Sequence, residues 1–314
     1  MGMTHVTIQE ARARIAPYIT RTPLLRLRAL DEYLGCEVYA KPECLQVTGS
    51  FKYRGAMNKI LSLSDDQLQR GIVAASSGNH GKAVAYAARM LGVKATIVLP
   101  HTAAQVKVDT IQKWGAEVVR CELAERFEVA QRIADETGGA IVPPFNDKAI
   151  MAGQGTAGLE IAEDCPDLDA VVIPVSGGGL IGGVSCALKA TLPKAKVYGA
   201  EPAALPRWTA SLAAGQPTSV EKKATVADAL VSLIPGDACF PYVAQNVDAF
   251  AAVDEEFILK GTKLIVSEGK LVCEPSSGIG AGAILQGLIP VSETDKLCLF
   301  VSGGSVSLEQ LGNL

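Results

Sequence analysis

Short β-rich runs alternate with helix-period segments along almost the whole of this chain, and no other feature constrains its fold as strongly. The runs at 71–75, 95–99, 116–120, 170–175, 197–201 and 297–301 are separated by segments at 82–91, 104–114, 126–137, 155–163 and 180–191. In those segments apolar residues recur three or four positions apart, so the order reads as βα units around parallel sheets, an α/β fold. With 314 residues, 48% of them hydrophobic, two buried cores can be filled.

In such sheets ligands collect beyond the carboxyl ends of strands, where strand-to-helix turns expose backbone N–H groups. Three of these turns are rich in small and hydroxylated residues. Ser76-Ser77-Gly78-Asn79-His80-Gly81 offers N–H groups, hydroxyls, an amide and an imidazole at a helix start near Lys82, which suits a carboxylate. Ser176-Gly177-Gly178-Gly179-Leu180 lets the backbone curl into a nest of donors. No lysine follows as in the nucleotide P-loop, so a monophosphate ester fits better than a triphosphate. Ser302-Gly303-Gly304-Ser305 closes the last apolar run, and either a ligand contact or a tight turn explains it.

A lysine stands among small and apolar neighbours in Ser50-Phe51-Lys52-Tyr53-Arg54-Gly55-Ala56, at the head of a helical segment over 52–61. An amine in partly apolar surroundings loses preference for its charged form and can attack an aldehyde. Two glycine patterns, 153–158 and 278–283, imitate a dinucleotide fingerprint. Neither follows a strand directly or has the acidic residue that the fingerprint needs, so both read as helix-packing or loop positions and not as a hydride-transfer site.

Composition excludes other classes. A net charge of −4 without a basic run gives a nucleic-acid backbone or an anionic membrane nothing to hold. Eight cysteines are scattered with no CxxC pair and no Cys/His cluster, which reads as reduced thiols rather than a disulfide framework or zinc site. With no export signal or long apolar span in view, the expected location is the cytoplasm.

Taken together and in order, SFKYRGA, SSGNHG, AGQGT, SGGGL and SGGS resemble the signature set of the fold-type II pyridoxal-phosphate enzymes, the tryptophan synthase β-like fold, and within it the threonine/serine dehydratase and serine racemase group. The resemblance implies a homodimer with pyridoxal 5'-phosphate between two domains. The larger would comprise 1–70 plus 147–314 and the smaller 71–146; the Pro143-Pro144 step, where proline breaks regular structure, reads equally as a crossing between lobes or as a plain surface turn. It implies Lys52 as the lysine that joins the cofactor aldehyde and moves the α-proton, and Asn79 against the ring hydroxyl. Ser176, Gly177, Gly178, Gly179 and Leu180 would hold the phosphate, and Ser302 would face the pyridine nitrogen. Ser76, Ser77, Asn79 and His80 would hold the substrate carboxylate, with Ser77 as an acid on the opposite face.

A serine hydroxyl cannot keep a proton on the pyridine nitrogen as a carboxylate can, which weakens the electron sink and favours β-elimination over transamination. The implied activity is therefore a dehydratase (ammonia-lyase) on threonine, serine or a related β-hydroxy amino acid. Amino-acid racemase, hydroxyaspartate dehydratase, β-replacement and a non-catalytic cofactor-binding protein are the alternatives.

The chain departs from the family pattern in places. Ser305 and Ser307 stand where the family commonly has Asn and Asp. Arg207 falls where racemase-like members carry an acidic metal ligand, so a pair with Glu201 and no metal is expected. Arg126 resembles a position that meets a second substrate carboxylate, although an ordinary surface arginine is the simpler reading. Only a short tail follows Ser302, so feedback control by a C-terminal regulatory domain is not expected.

Overall fold

Ten strands, fourteen α-helices and two short 3-10 turns make up the regular structure of the described part of the chain, residues 2–314 of a computed structural model. The strands are β1 (Leu25–Arg26), β2 (Glu37–Pro42), β3 (Ile72–Ala75), β4 (Ala95–Pro100), β5 (Glu117–Cys121), β6 (Ala140–Ile141), β7 (Ala170–Pro174), β8 (Lys196–Pro202), β9 (Ala249–Val253) and β10 (Lys296–Val301). The first seven helices are α1 (His5–Ile15), α2 (Asp31–Leu34), α3 (Lys52–Leu61), α4 (Asp65–Arg70), α5 (Asn79–Leu91), α6 (Gln105–Lys113) and α7 (Arg126–Thr137). The others are α8 (Lys148–Asp164), α9 (Gly179–Thr191), α10 (Arg207–Ala214), α11 (Phe240–Asn246), α12 (Glu255–Ser267), α13 (Pro275–Leu285) and α14 (Leu308–Gly312).

Two sheets result. One has the order β5-β4-β3-β6 and is wholly parallel. The other runs β1-β2-β10-β7-β8-β9 and is parallel except for the β1–β2 edge. Every residue of β3 and β7 is buried, as expected of parallel strands covered by helices on both faces.

The strands read from the sequence are present to within a residue or two, and β1, β2, β6 and β9 are additional. In β2 the alternation is masked by Glu37, Lys41 and Pro42, yet the strand lies between β1 and β10 with Val38, Ala40 and Lys41 buried. Pro42 ends it, where the missing N–H costs least. Helix α8 also begins earlier than its periodicity suggests, because the Asp147 side chain accepts from the N–H groups of Ala149 and Ile150.

Both apparent dinucleotide fingerprints are helix contacts. A Cβ on Gly153 would stand 2.7 Å from the Arg54 carbonyl, and one on Gly155 2.8 Å from that of Gly183. Helix α8 therefore lies directly on α3 and α9. On its other side α3 sends Tyr53, Ala56, Met57 and Ile60 into the core of the four-stranded sheet, beside Ile72, Ala74 and Ile97. Lys52, its first residue, thus stands where elements of the two sheets meet.

Candidate active site

The loop before Lys52 is zipped onto the end of β10. Phe51 N–H donates to the Ser302 carbonyl at 3.1 Å, Gly304 N–H donates to that of Gly49 at 2.9 Å, and Ser50 pairs with Gly303. Held there, the half-buried Lys52 donates from Nζ to the Pro144 carbonyl at 2.5 Å. No carboxylate lies within ion-pairing distance among the described residues. Burial strips the ammonium of water and brings its pKa from 10.5 down to about 8, with the more distant Cys239 and Glu274 opposing this weakly.

The second turn follows β3. Helix α5 starts at Asn79, three residues earlier than the sequence suggests, and the first-turn N–H groups of Asn79, His80 and Gly81 have no carbonyl behind them. Gly81 admits no side chain, since a Cβ would fall 2.0 Å from the Ser76 carbonyl. Ser76 Oγ accepts from Gly78 N–H at 3.3 Å, whereas the half-buried Ser77 hydroxyl makes no hydrogen bond within the described chain.

His80 corrects an expectation. Its ring is buried, and Nε2 lies 2.8 Å from the Val142 carbonyl, an acceptor, which fixes a proton on that nitrogen. Burial, with Lys52 nearby, lowers its pKa to about 3. The imidazole is therefore neutral and turned into the four-stranded sheet, and only the backbone N–H of His80 is available to a ligand.

The glycine turn after β7 is shaped by aromatic walls. A Cβ on Gly177 would lie 2.4 Å from the Phe145 ring, and one on Gly178, at φ +100°, 2.3 Å from Trp208. No side chain fits at either position, so the backbone itself faces the space. Ser176 is braced from behind, its carbonyl accepting from Trp208 Nε1 at 2.7 Å and its Oγ from Ser232 N–H at 3.1 Å. Gly179 and Leu180 begin α9, and with Ile181 they present N–H groups that no acceptor among the described residues takes.

Ser302 is buried, its Oγ 3.0 Å from that of Ser277, which also accepts from Gly303 N–H at 2.9 Å. The most informative residue that sequence reasoning missed is Glu274. Asn79 Nδ2 donates to its two carboxyl oxygens at 2.9 and 3.1 Å. Burial raises the Glu274 pKa to about 7, against the pull of the Asn79 bond. Its one signal is an acidic residue directly before Pro275, the first residue of a buried apolar helix. Ser305 and Lys82 complete the cluster: Ser305 Oγ donates to Asn79 Oδ1 and accepts from Lys82 Nζ at 2.6 Å.

One other expectation, the Arg207–Glu201 pair, is corrected. Arg207 forms no ion pair with Glu201. It is fully buried and donates to the carbonyls of Val175 and Leu230 at 3.2 and 2.9 Å, because α10 turns its side chain under the glycine turn. Glu201 instead caps α10, accepting from the N–H groups of Trp208 and Thr209 at 2.8 and 2.9 Å. Arg126 bonds the Leu123 carbonyl and lies over the Phe127 ring, and neither partner belongs to the turns around Lys52.

Chemically, the arrangement provides a carbonyl-reactive amine, a side-chain-free anion seat and two helix starts with open donors. The comparisons with known proteins agree. The family model described as pyridoxal-phosphate dependent enzyme matches residues 15–303. The L-threonine ammonia-lyase of Thermotoga maritima is 42% identical over 98% of this chain and 77% of its own length. Serine racemase of Oryza sativa subsp. indica is 40% identical over 96% and 91%. The structure of maize serine racemase superposes with a TM-score of 0.95 at 38% identity, covering all of this chain and 97% of that one.

The residues present fit the cofactor. The pKa of Lys52 is depressed, and the glycine seat would be closed by any Cβ. The Thr48 and Ser50 hydroxyls, in the loop before Lys52, are buried without a partner among the described residues. The chain belongs to the pyridoxal-phosphate-dependent enzymes and takes pyridoxal 5'-phosphate as its cofactor.

Proposed function

We propose that the protein is an ammonia-lyase that converts L-threonine, L-serine or a related β-hydroxy amino acid to a 2-oxo acid and ammonia. The observation that carries this reading is Lys52, a half-buried amine held by a carbonyl instead of a carboxylate, with a serine rather than an acid in the Ser302 turn. When bound, the cofactor supplies an electron sink that acidifies the α-proton of the amino acid.

Lys52 then takes that proton, which its near-neutral pKa permits. The substrate carboxylate is held by the first-turn N–H groups of α5 and the hydroxyls of Ser76 and Ser77. The N–H groups from Ser176 to Leu180 would hold the phosphate, Asn79 would donate to the ring hydroxyl, and Ser302 would bond the ring nitrogen. Loss of the α-proton and the β-hydroxyl removes one water, and hydrolysis of the resulting enamine returns that water and releases ammonia, so the atoms balance.

One observation favours a second reading. The unbonded Ser77 hydroxyl is free to return a proton to the face opposite Lys52, which makes a racemase from the same site; similar proteins carry both names. The two-sheet arrangement supports domains of 1–70 plus 147–314 and of 71–146, and a cytoplasmic homodimer completes the proposal.

A panel of both enantiomers and both β-epimers of serine, threonine, hydroxyaspartate and phenylserine tests it, read by ammonia release and by chiral analysis of the remaining substrate. Ammonia and 2-oxo acid from L-threonine or L-serine are expected. Enantiomer without ammonia assigns a racemase, and no turnover of any member leaves a cofactor-binding protein.

A further inference from the structure

Asn79 has an amide whose two ends differ in function, and the structure surrounds it with groups that decide which end points where. An ammonium can only donate, so the 2.6 Å contact of Lys82 Nζ with Ser305 Oγ obliges that oxygen to accept. The proton of Ser305 must then go elsewhere, and Asn79 Oδ1 receives it. With Oδ1 occupied, the NH2 end faces the Glu274 carboxyl at 2.9 and 3.1 Å, which also accepts from Ser305 N–H at 3.2 Å. Donors and acceptors thus run in one direction, from Lys82 through Ser305 and Asn79 to Glu274.

We propose that Lys82 is a positioning residue: acting through the Ser305 hydroxyl, its ammonium fixes the donor end of Asn79 toward the ring oxygen of the cofactor. The proposal rests on the role given to Asn79 above. Without the ammonium, the Ser305 hydroxyl is free to rotate and accept from a flipped Asn79 amide. A protonated Glu274 would then donate to Oδ1, and burial does hold a proton on that carboxyl up to about pH 7. The flipped amide would set an oxygen against the ring oxygen, a repulsive contact.

The groups that bear on Lys82 are Glu274 at the start of α13, which favours its charge, and Lys107 on α6, which opposes it; Asp228 bears on Glu274. A charge kept in such half-buried surroundings has a desolvation cost that a solvated lysine would not have. Orienting a cofactor contact is a use that offsets it.

The test compares holoenzymes of wild type, Lys82→Met, Lys82→Arg, Ser305→Ala and the Lys82→Met/Ser305→Ala double variant by cofactor Kd and by the visible absorption spectrum, with thermal unfolding run alongside. Lys82→Met and Ser305→Ala are each expected to weaken cofactor binding on the order of tenfold, the worth of one charge-assisted hydrogen bond. Each should also change the balance of absorption bands. The double variant should be no worse than either single one, and Lys82→Arg should keep the wild-type spectrum.

A Lys82→Met holoenzyme with wild-type Kd and spectrum overturns the proposal, as do losses that multiply in the double variant. If Lys82→Met does not fold, an unchanged Ser305→Ala holoenzyme overturns it alone. Asn79→Ala separates the levels: weaker binding there with an unchanged Lys82→Met sinks only this inference, whereas an unchanged Asn79→Ala sinks the role of Asn79 as well.

Discussion

Lys41 and Lys52 lie eleven positions apart in the chain, both removed at least partly from water, and their surroundings could hardly differ more. Lys41, fully buried in β2, donates to Glu160 and to the Thr22 carbonyl, each at 2.6 Å. Arg54 binds the same Glu160 at 2.7 Å and Glu43 at 2.8 Å, so two cations and two carboxylates neutralise one another between β2, α3 and α8. Lys52 has one carbonyl and, among the described residues, no carboxylate within reach. Burying a lysine does not by itself make a reactive amine. Burying it without a counter-charge does, because only then does the neutral form come within reach near neutral pH.

The largest expected effect falls on Lys52. Lys52→Ala should lower turnover by about a thousandfold or more, since the group that takes the α-proton is gone. Borohydride should trap no cofactor on the variant, while its fold stays intact. Measured steady-state rates within tenfold of wild type would break the comparison at its functional end.

At the structural end, Lys41→Met removes one cation from a closed set and leaves Glu160 to Arg54 alone. A cost of about 3 kcal/mol in urea unfolding is expected, with the rate per folded molecule unchanged. A variant as stable as wild type would mean that Arg54 suffices and Lys41 is a passenger.

Two buried carboxyls, one in each region, should also answer acid in opposite directions. Glu43 in the closed set is held below its ordinary value, since the neighbouring Arg54 outweighs its burial. Its contribution to stability is present above pH 4.5 and fades as pH falls through its folded pKa. Glu274 is raised to about 7, so between pH 4.5 and 7 the folded protein holds a proton that the unfolded chain has lost. Its contribution fades as pH rises through that window, by on the order of 3 kcal/mol. Lys52, lowered to about 8, adds stability as pH climbs from 8 to 10.5. Unfolding of the apoprotein against pH, compared with Glu274→Gln, should show the Glu274 slope disappear; an unaltered slope would assign it to another group.

The sequence showed the site's backbone far better than its side-chain network. Glycine turns are legible because their reason is local: three consecutive glycines after a buried strand have few structural uses, and Gly177 and Gly178 indeed admit no Cβ. Lys52 was legible through its apolar neighbours. Glu274 was not, because an acid before proline looks like any helix start until Asn79, nearly two hundred residues away, is folded against it. His80 misled for a related reason. Its place in a polar turn suggested that the imidazole itself meets the ligand, whereas the early start of α5 rotates the ring onto Val142 and leaves only the backbone N–H in the turn. Strand β2 escaped notice because Lys41 reads as a surface residue until its partner from α8 is known.

Arg207 is a third case and yields the smallest expected effect. It is as buried as Lys41 and, like Lys52, has only carbonyl partners, with Nε left unpartnered. Burial lowers its pKa to about 10, which still leaves it a cation at neutral pH, so the lack of a carboxylate partner does not make it reactive. Its charge does act on the buried Glu201, whose two oxygens already receive three hydrogen bonds from Trp208 and Thr209. A carboxylate so occupied and so compensated has little left to offer a divalent ion. Chelator should therefore change activity by less than about twofold, and added magnesium should not raise it. Activity that collapses in chelator and returns with magnesium would show that Arg207 does not do for Glu201 what this placement suggests.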